Sequence, residues 1–344
     1  MSPLTTSILI SSLATGTIIT ASSYHWLMAW VGLEINTLAI IPLISKKHHP
    51  RSTEAATKYF LTQTAASALI LFSSTINAQQ TGTWDITQLT TTQSNILLTM
   101  ALAMKLGLAP THFWLPEVLQ GSTMNTALII STWQKLAPMA ILYMTANKLP
   151  ATMLLTMGAL SALVGGWGGL NQTQMRKIMA FSSIAHIGWI TTISFMLTNI
   201  MVLNLTIYII MTTTMFSTLI LSNSKTIKDT TTLPTTSPTL TPVMTLTLLS
   251  LGGLPPLSGF IPKWLILEEL INQNLTPAAS LMAMSALLSL FFYLRLTYTT
   301  TMTLSPNSTT SKHKWRFSNQ NPNPLTPMTA PLSLLLLPIT PMLV

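Results

Sequence analysis

Cysteine is absent from all 344 residues, which excludes disulfides, thiolate metal sites and cysteine-held iron–sulfur clusters from this chain. Charge is nearly as scarce. Only 7% of residues are charged, against about 25% in soluble domains, and seven acidic residues face sixteen basic ones. That basic excess is thin and scattered, which argues against a nucleic-acid partner. What fills the chain is apolar: 49% hydrophobic residues and a mean hydropathy of +0.52 mark an integral membrane protein. The opening residues Met1 to Ile10 carry no basic n-region and no small-residue cleavage site, so the first apolar run is expected to be a retained helix. Abundant methionine and threonine fit a compact organellar genome.

About 20 apolar residues cross a bilayer, and the charges fall between such stretches. Helices are expected near residues 3–21, 25–45, 55–78, 93–120, 123–147, 150–171, 174–195, 199–222, 240–271, 276–300 and 325–343, eleven in all. The fourth and ninth are too long for one straight span and carry central prolines: Pro110 and Pro116 in one, Pro255, Pro256 and Pro262 in the other. Loop charges support the count. Lys46, Lys47 and Arg51, then Arg176 and Lys177, then Lys225 and Lys228, then Lys312, Lys314 and Arg316 all fall on one side. The opposite loops hold Lys148 as their clear basic residue, with Asp85, Glu268 and Glu269 near them. By the positive-inside rule the basic side is cytoplasmic or matrix, with the N-terminus inside and the C-terminus outside. The Thr/Pro/Ser-rich stretch at 230–241 and the polar stretch at 305–327 read as connections.

A few ionisable residues lie inside the apolar spans, where such groups are costly and usually functional. Glu34 sits mid-way in the second span. It is expected to be a carboxylate facing the bundle interior and paired with a lysine, the alternative being a neutral carboxyl bonded to Asn36 or a helix neighbour. Lys105 lies about 12 residues into the fourth span, too deep to snorkel, and is followed by Pro110, His112, Pro116 and Glu117. The two prolines are expected to break this helix, and broken helices persist at depth only when buried in protein or lining water. Lys135 is central in the fifth span. Opposite charges about 4 Å apart gain about 4 kcal/mol at an effective dielectric of about 20, so making or breaking a Glu34 pair would change how a lysine holds its proton. His186 lies mid-way in the seventh span. A haem role for it would need a second axial ligand, and His112, in a broken helix, suits that badly. His25, beside Tyr24 and Trp26, fits an interfacial anchor.

The ninth span repeats the fourth: Leu-Gly leads into proline, Pro110/Pro116 and Pro256/Pro262 share one spacing, and Lys263 follows the second break. The ninth span is displaced from the fourth by five, an odd number, which inverts its orientation. An all-α, polytopic fold of about eleven transmembrane helices follows, an inverted repeat with two discontinuous helices. Its expected parts are residues 1–147, residues 150–300, and a polar connection with a final helix at 301–344.

The runs M-K-L-G-L-A-P-T-H-F-W-L-P-E, Q-M-R-K-I-M-A-F-S-S-I-A-H-I-G-W and L-G-G-L-P-P-L-S-G-F-I-P-K-W, with W-V-G-L-E-I-N-T-L-A-I-I-P-L and S-T-W-Q-K-L-A-P, resemble the antiporter-like membrane subunits of respiratory complex I. The match covers essentially the whole chain and suits the shortened animal mitochondrial form, which lacks three N-terminal helices of bacterial relatives. The resemblance implies a proton relay of Glu34, Lys105, Lys135 and Lys263, with His112 and His186 in lesser roles. It implies other membrane-arm subunits and phospholipids as partners, and the mitochondrial inner membrane as location. It also implies that NADH, FMN, iron–sulfur and ubiquinone chemistry occurs in other subunits, with no cofactor in this chain. Two rival readings are a cation/proton antiporter subunit and a structural membrane scaffold. The Asn-x-Thr/Ser triplets at Asn171, Asn204, Asn274 and Asn307 are expected to carry no glycan.

Overall fold

A computed structural model describes residues 2–47, 49–302 and 324–338. His48, Lys312, Lys314, Arg316 and the end of the expected eleventh helix lie outside the described residues. Among the described residues the regular secondary structure is helical, and the isolated bridges His25 to Asp85 and Gln174 to Thr226 join loops rather than strands. Two compact units emerge, Met1–Ser161 with Ile190–Thr198, and Ala162–Trp189 with Asn199–Val344.

The first unit contains α1 (Pro3–Ser22), α2 (Trp26–Ile44), α3 (Pro50–Thr81), α4 (Thr92–Leu106), α5 (Trp114–Gly121), α6 (Met124–Ser131) and α7 (Trp133–Thr145). α8 (Ala151–Gly169) and α9 (Met175–Ile193) each contribute to both units. The second unit adds α10 (Thr198–Ser222), the short α11 (Ile227–Thr231) and α12 (Leu233–Thr236), α13 (Leu240–Gly252), α14 (Phe260–Asn272), α15 (Thr276–Thr301) and α16 (Leu325–Leu335). The expected 230–241 connection is therefore partly helical. Among the described residues, six helices are long and apolar enough to cross a membrane by length and composition. Three further expected spans fall short of that length because each is interrupted.

The fourth span breaks into α4 and α5 and the ninth into α13 and α14, as the prolines predict, and each gap holds seven residues. The first half-helix ends alike in both. Gly107 (φ 76°) and Gly253 (φ 81°) adopt the left-handed conformation that glycine enters without steric cost. Gly107 and Leu108 donate backbone N–H groups to Ala103, and Gly253 and Leu254 donate to Leu249. A shift of 146 residues superimposes the two patterns. In the second unit the break is also tied to the last helix, because the Ser258 hydroxyl donates to the Ser333 carbonyl of α16.

A third interruption, at Thr132, divides the expected 123–147 helix into α6 and α7. Three donors converge on the Leu128 carbonyl: the Ser131 hydroxyl, the Thr132 hydroxyl and the Thr132 N–H. Such hydroxyl back-bonding bends helices, and Pro138 removes a donor from the following turn. The helix restarts with a tight bond from Lys135 N–H to Thr132 O at 3.2 Å.

Candidate functional site

Each half-helix leaves carbonyls without intrahelical partners and a partial negative charge at its C-terminus. In the first unit that end is capped by two side chains. The Trp114 indole N–H reaches back across the break to the Met104 carbonyl at 3.1 Å, and the Lys135 ammonium of α7 donates to the Leu106 carbonyl. The Trp114 ring also lies 5.8 Å beneath Lys135 Nζ, within cation–π range. In the second unit Lys263 Nζ donates to the Gly252 carbonyl at 2.8 Å, with Leu251 O at 3.4 Å. Leu106 and Gly252 are equivalent under the 146-residue shift, so the same backbone oxygen accepts a lysine in both units. Lys135 reaches it from another helix, whereas Lys263 reaches it from across its own break.

Lys105 and Lys135 line one narrow cavity of about 10 Å³, room for about one ordered water. Asn36, Gln63, Gln134, Tyr59 and Trp114 share its wall. Lys105 is 4% exposed and Lys135 1%. The Tyr59 hydroxyl donates to Gln134 Oε1 at 3.3 Å, but Lys105 Nζ, both side-chain polar atoms of Asn36, and the Nε2 atoms of Gln63 and Gln134 have no hydrogen-bond partner among the described residues. Buried polar groups are normally satisfied by protein or by ordered water.

Glu34 is half-buried on α2. Its charge reaches Lys105 and Tyr59, yet no ion pair joins it to a lysine among the described residues, and its Oε2 is unpartnered. The expected direct pair is thus an interaction across a gap. His112 is buried in the α4–α5 break against Phe113, with ring centroids 4.3 Å apart, and does not line the cavity. His186 of α9 is buried in the second unit, within electrostatic range of Lys263. Among the described residues, no group of three His, Cys, Asp or Glu side chains could hold a metal ion.

Sequence reasoning passed over Trp114, Tyr59, Gln63 and Gln134. Their signal was present in principle, since amides and indoles inside an apolar span need partners. It also missed Lys58 of α3, which bridges Glu54 and, at 2.5 Å, Glu117 of α5. That exposed clamp ties the second half of the broken helix to its neighbour. His25 caps α2 by accepting from Leu27 N–H and stacks on Trp84.

The family model for NADH:quinone oxidoreductase/Mrp antiporter transmembrane segments matches residues 23–289, and that for the NADH dehydrogenase subunit 2 C-terminus matches residues 290–344. NADH-ubiquinone oxidoreductase chain 2 of Varanus nebulosus is 57% identical over 343 residues, covering 100% of this chain and 99% of the relative. Its Xenopus laevis counterpart is 57% identical over 342 residues, covering 99% of each. This chain belongs to the NADH-ubiquinone oxidoreductase chain 2 family. It is a multi-pass membrane protein, and every candidate residue, from Glu34 to Lys263, lies within the transmembrane match. The chain 2 fold is also similar to a chain of respiratory complex I from Thermus thermophilus, with TM-score 0.86, 26% identity, and coverage of 98% of this chain and 78% of that one. A chain of the Mrp complex from Dietzia sp. DQ12-45-1b shares the fold, with TM-score 0.83, 17% identity, and coverage of 97% and 75%.

Proposed function

We propose that this chain is a proton-translocating membrane-arm subunit of NADH:ubiquinone oxidoreductase, with Glu34, Lys105, Lys135 and Lys263 as its proton carriers. The observation that carries the proposal is the shared cavity: two buried lysines face one water-sized space ringed by unpartnered polar atoms. Burying an ammonium costs several kcal/mol, whereas a half-helix C-terminus returns at most about 2 kcal/mol. Lys135 is therefore held on Leu106 without being locked there, and a change of charge at Glu34 alters the balance between it and Lys105. His112 and His186 have supporting roles. The driving energy comes from quinone reduction in a neighbouring module.

In this reading the chain lies in the mitochondrial inner membrane, with its N-terminus on the matrix side and its C-terminus towards the intermembrane space. Its neighbours are other membrane-arm subunits, including further antiporter-like ones, and phospholipids. NADH, FMN, iron–sulfur clusters and ubiquinone belong to other subunits. Residues 1–147 and 150–300 form the two inverted repeats, and 301–344 completes the chain.

The test is Lys105→Met in the assembled complex. Proton pumping coupled to NADH oxidation should fall about 10²-fold, the lower end for removing a positioned proton-transfer group; full pumping sinks the assignment. Normal pumping after neutralising Lys135 and Lys263 together would instead identify the chain as a scaffold. Sodium-dependent exchange without NADH-oxidising activity in the purified complex would identify an antiporter.

A further inference from the structure

Two tyrosines in the second unit have no part in the relay described above. Tyr208 of α10 and Tyr293 of α15 are 0% and 1% exposed. The Tyr208 hydroxyl interacts with that of Ser183, and its ring lies against His186, with centroids 5.5 Å apart and planes tilted by 37°. The Tyr293 hydroxyl faces that of Ser182 without meeting hydrogen-bond geometry, and no described protein group satisfies it. His186 Nε2 is likewise buried and unpartnered.

Ser182 and Ser183 precede His186 by four and three residues, so all three share one face of α9. Both serines donate to carbonyls of their own helix, Met179 at 2.8 Å and Ala180 at 2.7 Å. Each serine oxygen is thereby left to accept from a phenol. At the other end, Tyr293 packs on Gly252: a Cβ there would sit 3.8 Å from Tyr293 Cδ2. Gly252 supplies the carbonyl that holds Lys263. The two tyrosines are within electrostatic range of each other. The buried hydroxyls of Tyr208 and Tyr293 thus lie against the serine face that carries His186, and the Tyr293 ring adjoins the residue that anchors Lys263. Packing alone does not account for Tyr293, because phenylalanine would fill the same space without burying a hydroxyl that no described group satisfies.

We infer that Tyr208 and Tyr293 carry protons between His186 and Lys263, with Ser182 and Ser183 orienting their hydroxyls and ordered water joining them. The inference rests on the reading of Lys263 as a proton carrier. In each step a phenol oxygen takes a proton on a lone pair while its own O–H proton passes to the next acceptor. One proton enters for each that leaves, and no phenolate is left behind. At the end of the series the Lys263 amine lone pair takes up the proton, or its ammonium N–H releases one.

Tyr208→Phe and Tyr293→Phe remove one oxygen each and keep both rings, and either variant gives the readout independently. In assembled complex, each should slow pumping-coupled NADH oxidation about tenfold, the loss expected for about one hydrogen bond in the transferring state. Each should also raise the solvent deuterium isotope effect, which a purely structural loss would leave unchanged. Lys263→Met serves as the reference. If it abolishes pumping while both phenylalanine variants keep the parent rate and isotope effect, the tyrosine relay is overturned and the lysine reading stands. If Lys263→Met pumps normally, the lysine reading itself fails, and the tyrosine relay with it.

Discussion

Lys135 docks on the carbonyl of Leu106, the residue that ends α4. Lys263 docks on the equivalent carbonyl of Gly252 in the second unit. A side-chain ammonium thus takes the place of the missing helical N–H at both breaks, so the two lysines depend on the geometry of those breaks rather than on a carboxylate partner.

The two capping glycines should differ in what they tolerate. A Cβ at Gly253 would lie 2.9 Å from both Cδ and Nζ of Lys263, whereas one at Gly107 would meet Trp114 Cζ2 at an ordinary 3.5 Å. Both substitutions to alanine incur the left-handed strain of about 1–2 kcal/mol, but Gly253→Ala also pushes Lys263 off its carbonyl. Proton pumping by assembled complex should fall several-fold further in Gly253→Ala than in Gly107→Ala; equal losses would mean that the docked geometry of Lys263 is irrelevant to turnover.

Trp114 makes two separable contributions. Trp114→Phe removes the indole donor from Met104 O, at a cost of about 0.5–1.5 kcal/mol for one hydrogen bond. An aromatic face remains under Lys135. Trp114→Leu removes the face too, a further loss of about 0.5–2 kcal/mol. Amide exchange at Gly107 and Leu108 should quicken in both variants, and activity should drop more in the leucine variant.

Gly16 and Gly32 let α1 and α2 touch. A Cβ on Gly16 would fall 2.5 Å from Asn36 Oδ1 and 2.9 Å from the Gly32 carbonyl, so Gly16→Ala must separate the helices at a cost of about 1–3 kcal/mol. Because Asn36 lines the lysine cavity, the variant should lose both thermal stability and pumping. A stability loss with unchanged pumping would uncouple this crossing from the cavity.

Asp229 offers a pH test outside the membrane spans. Burial raises its carboxyl pKa, but the backbone N–H groups of Lys225 and Thr226, at 2.9 Å and 2.8 Å from Oδ2, outweigh that and hold it below the usual carboxylate value. A depressed folded-state value means that the stabilisation is complete above the unfolded pKa of about 3.9 and is lost as pH falls through the folded one. Amide exchange at Lys225 and Thr226 should therefore accelerate on acidification, corrected for the intrinsic rate, and Asp229→Asn should abolish that dependence.

The breaks at Pro110 and Pro256 were legible because proline and glycine punctuate a helix by covalent geometry that needs no tertiary context. The interruption at Thr132 has Pro138 only in the turn that follows it; it is set by several donors converging on the Leu128 carbonyl, a choice made only in the folded chain. Lys105, Lys135 and Lys263 stood out because an ionisable group in an apolar run is rare. Their acceptors did not, since a backbone carbonyl has no sequence signature, and Glu34 drew the expectation of a direct pair. Tyr59 and Gln63 lie one turn apart on α3 but far along the chain from Gln134 and the lysines, and only their convergence on one cavity gives them meaning.

The hydroxyl of Ser258, which reaches the Ser333 carbonyl, bears on how truncating variants should be read. Serine 258 stands in the seven-residue gap beside the Lys263 dock, while its acceptor belongs to the last described helix. A nonsense change downstream of codon 293 and upstream of codon 333 would delete that acceptor while leaving every candidate proton carrier encoded. Such an allele would be a lesion of the second break, however far its stop codon lies from Lys263.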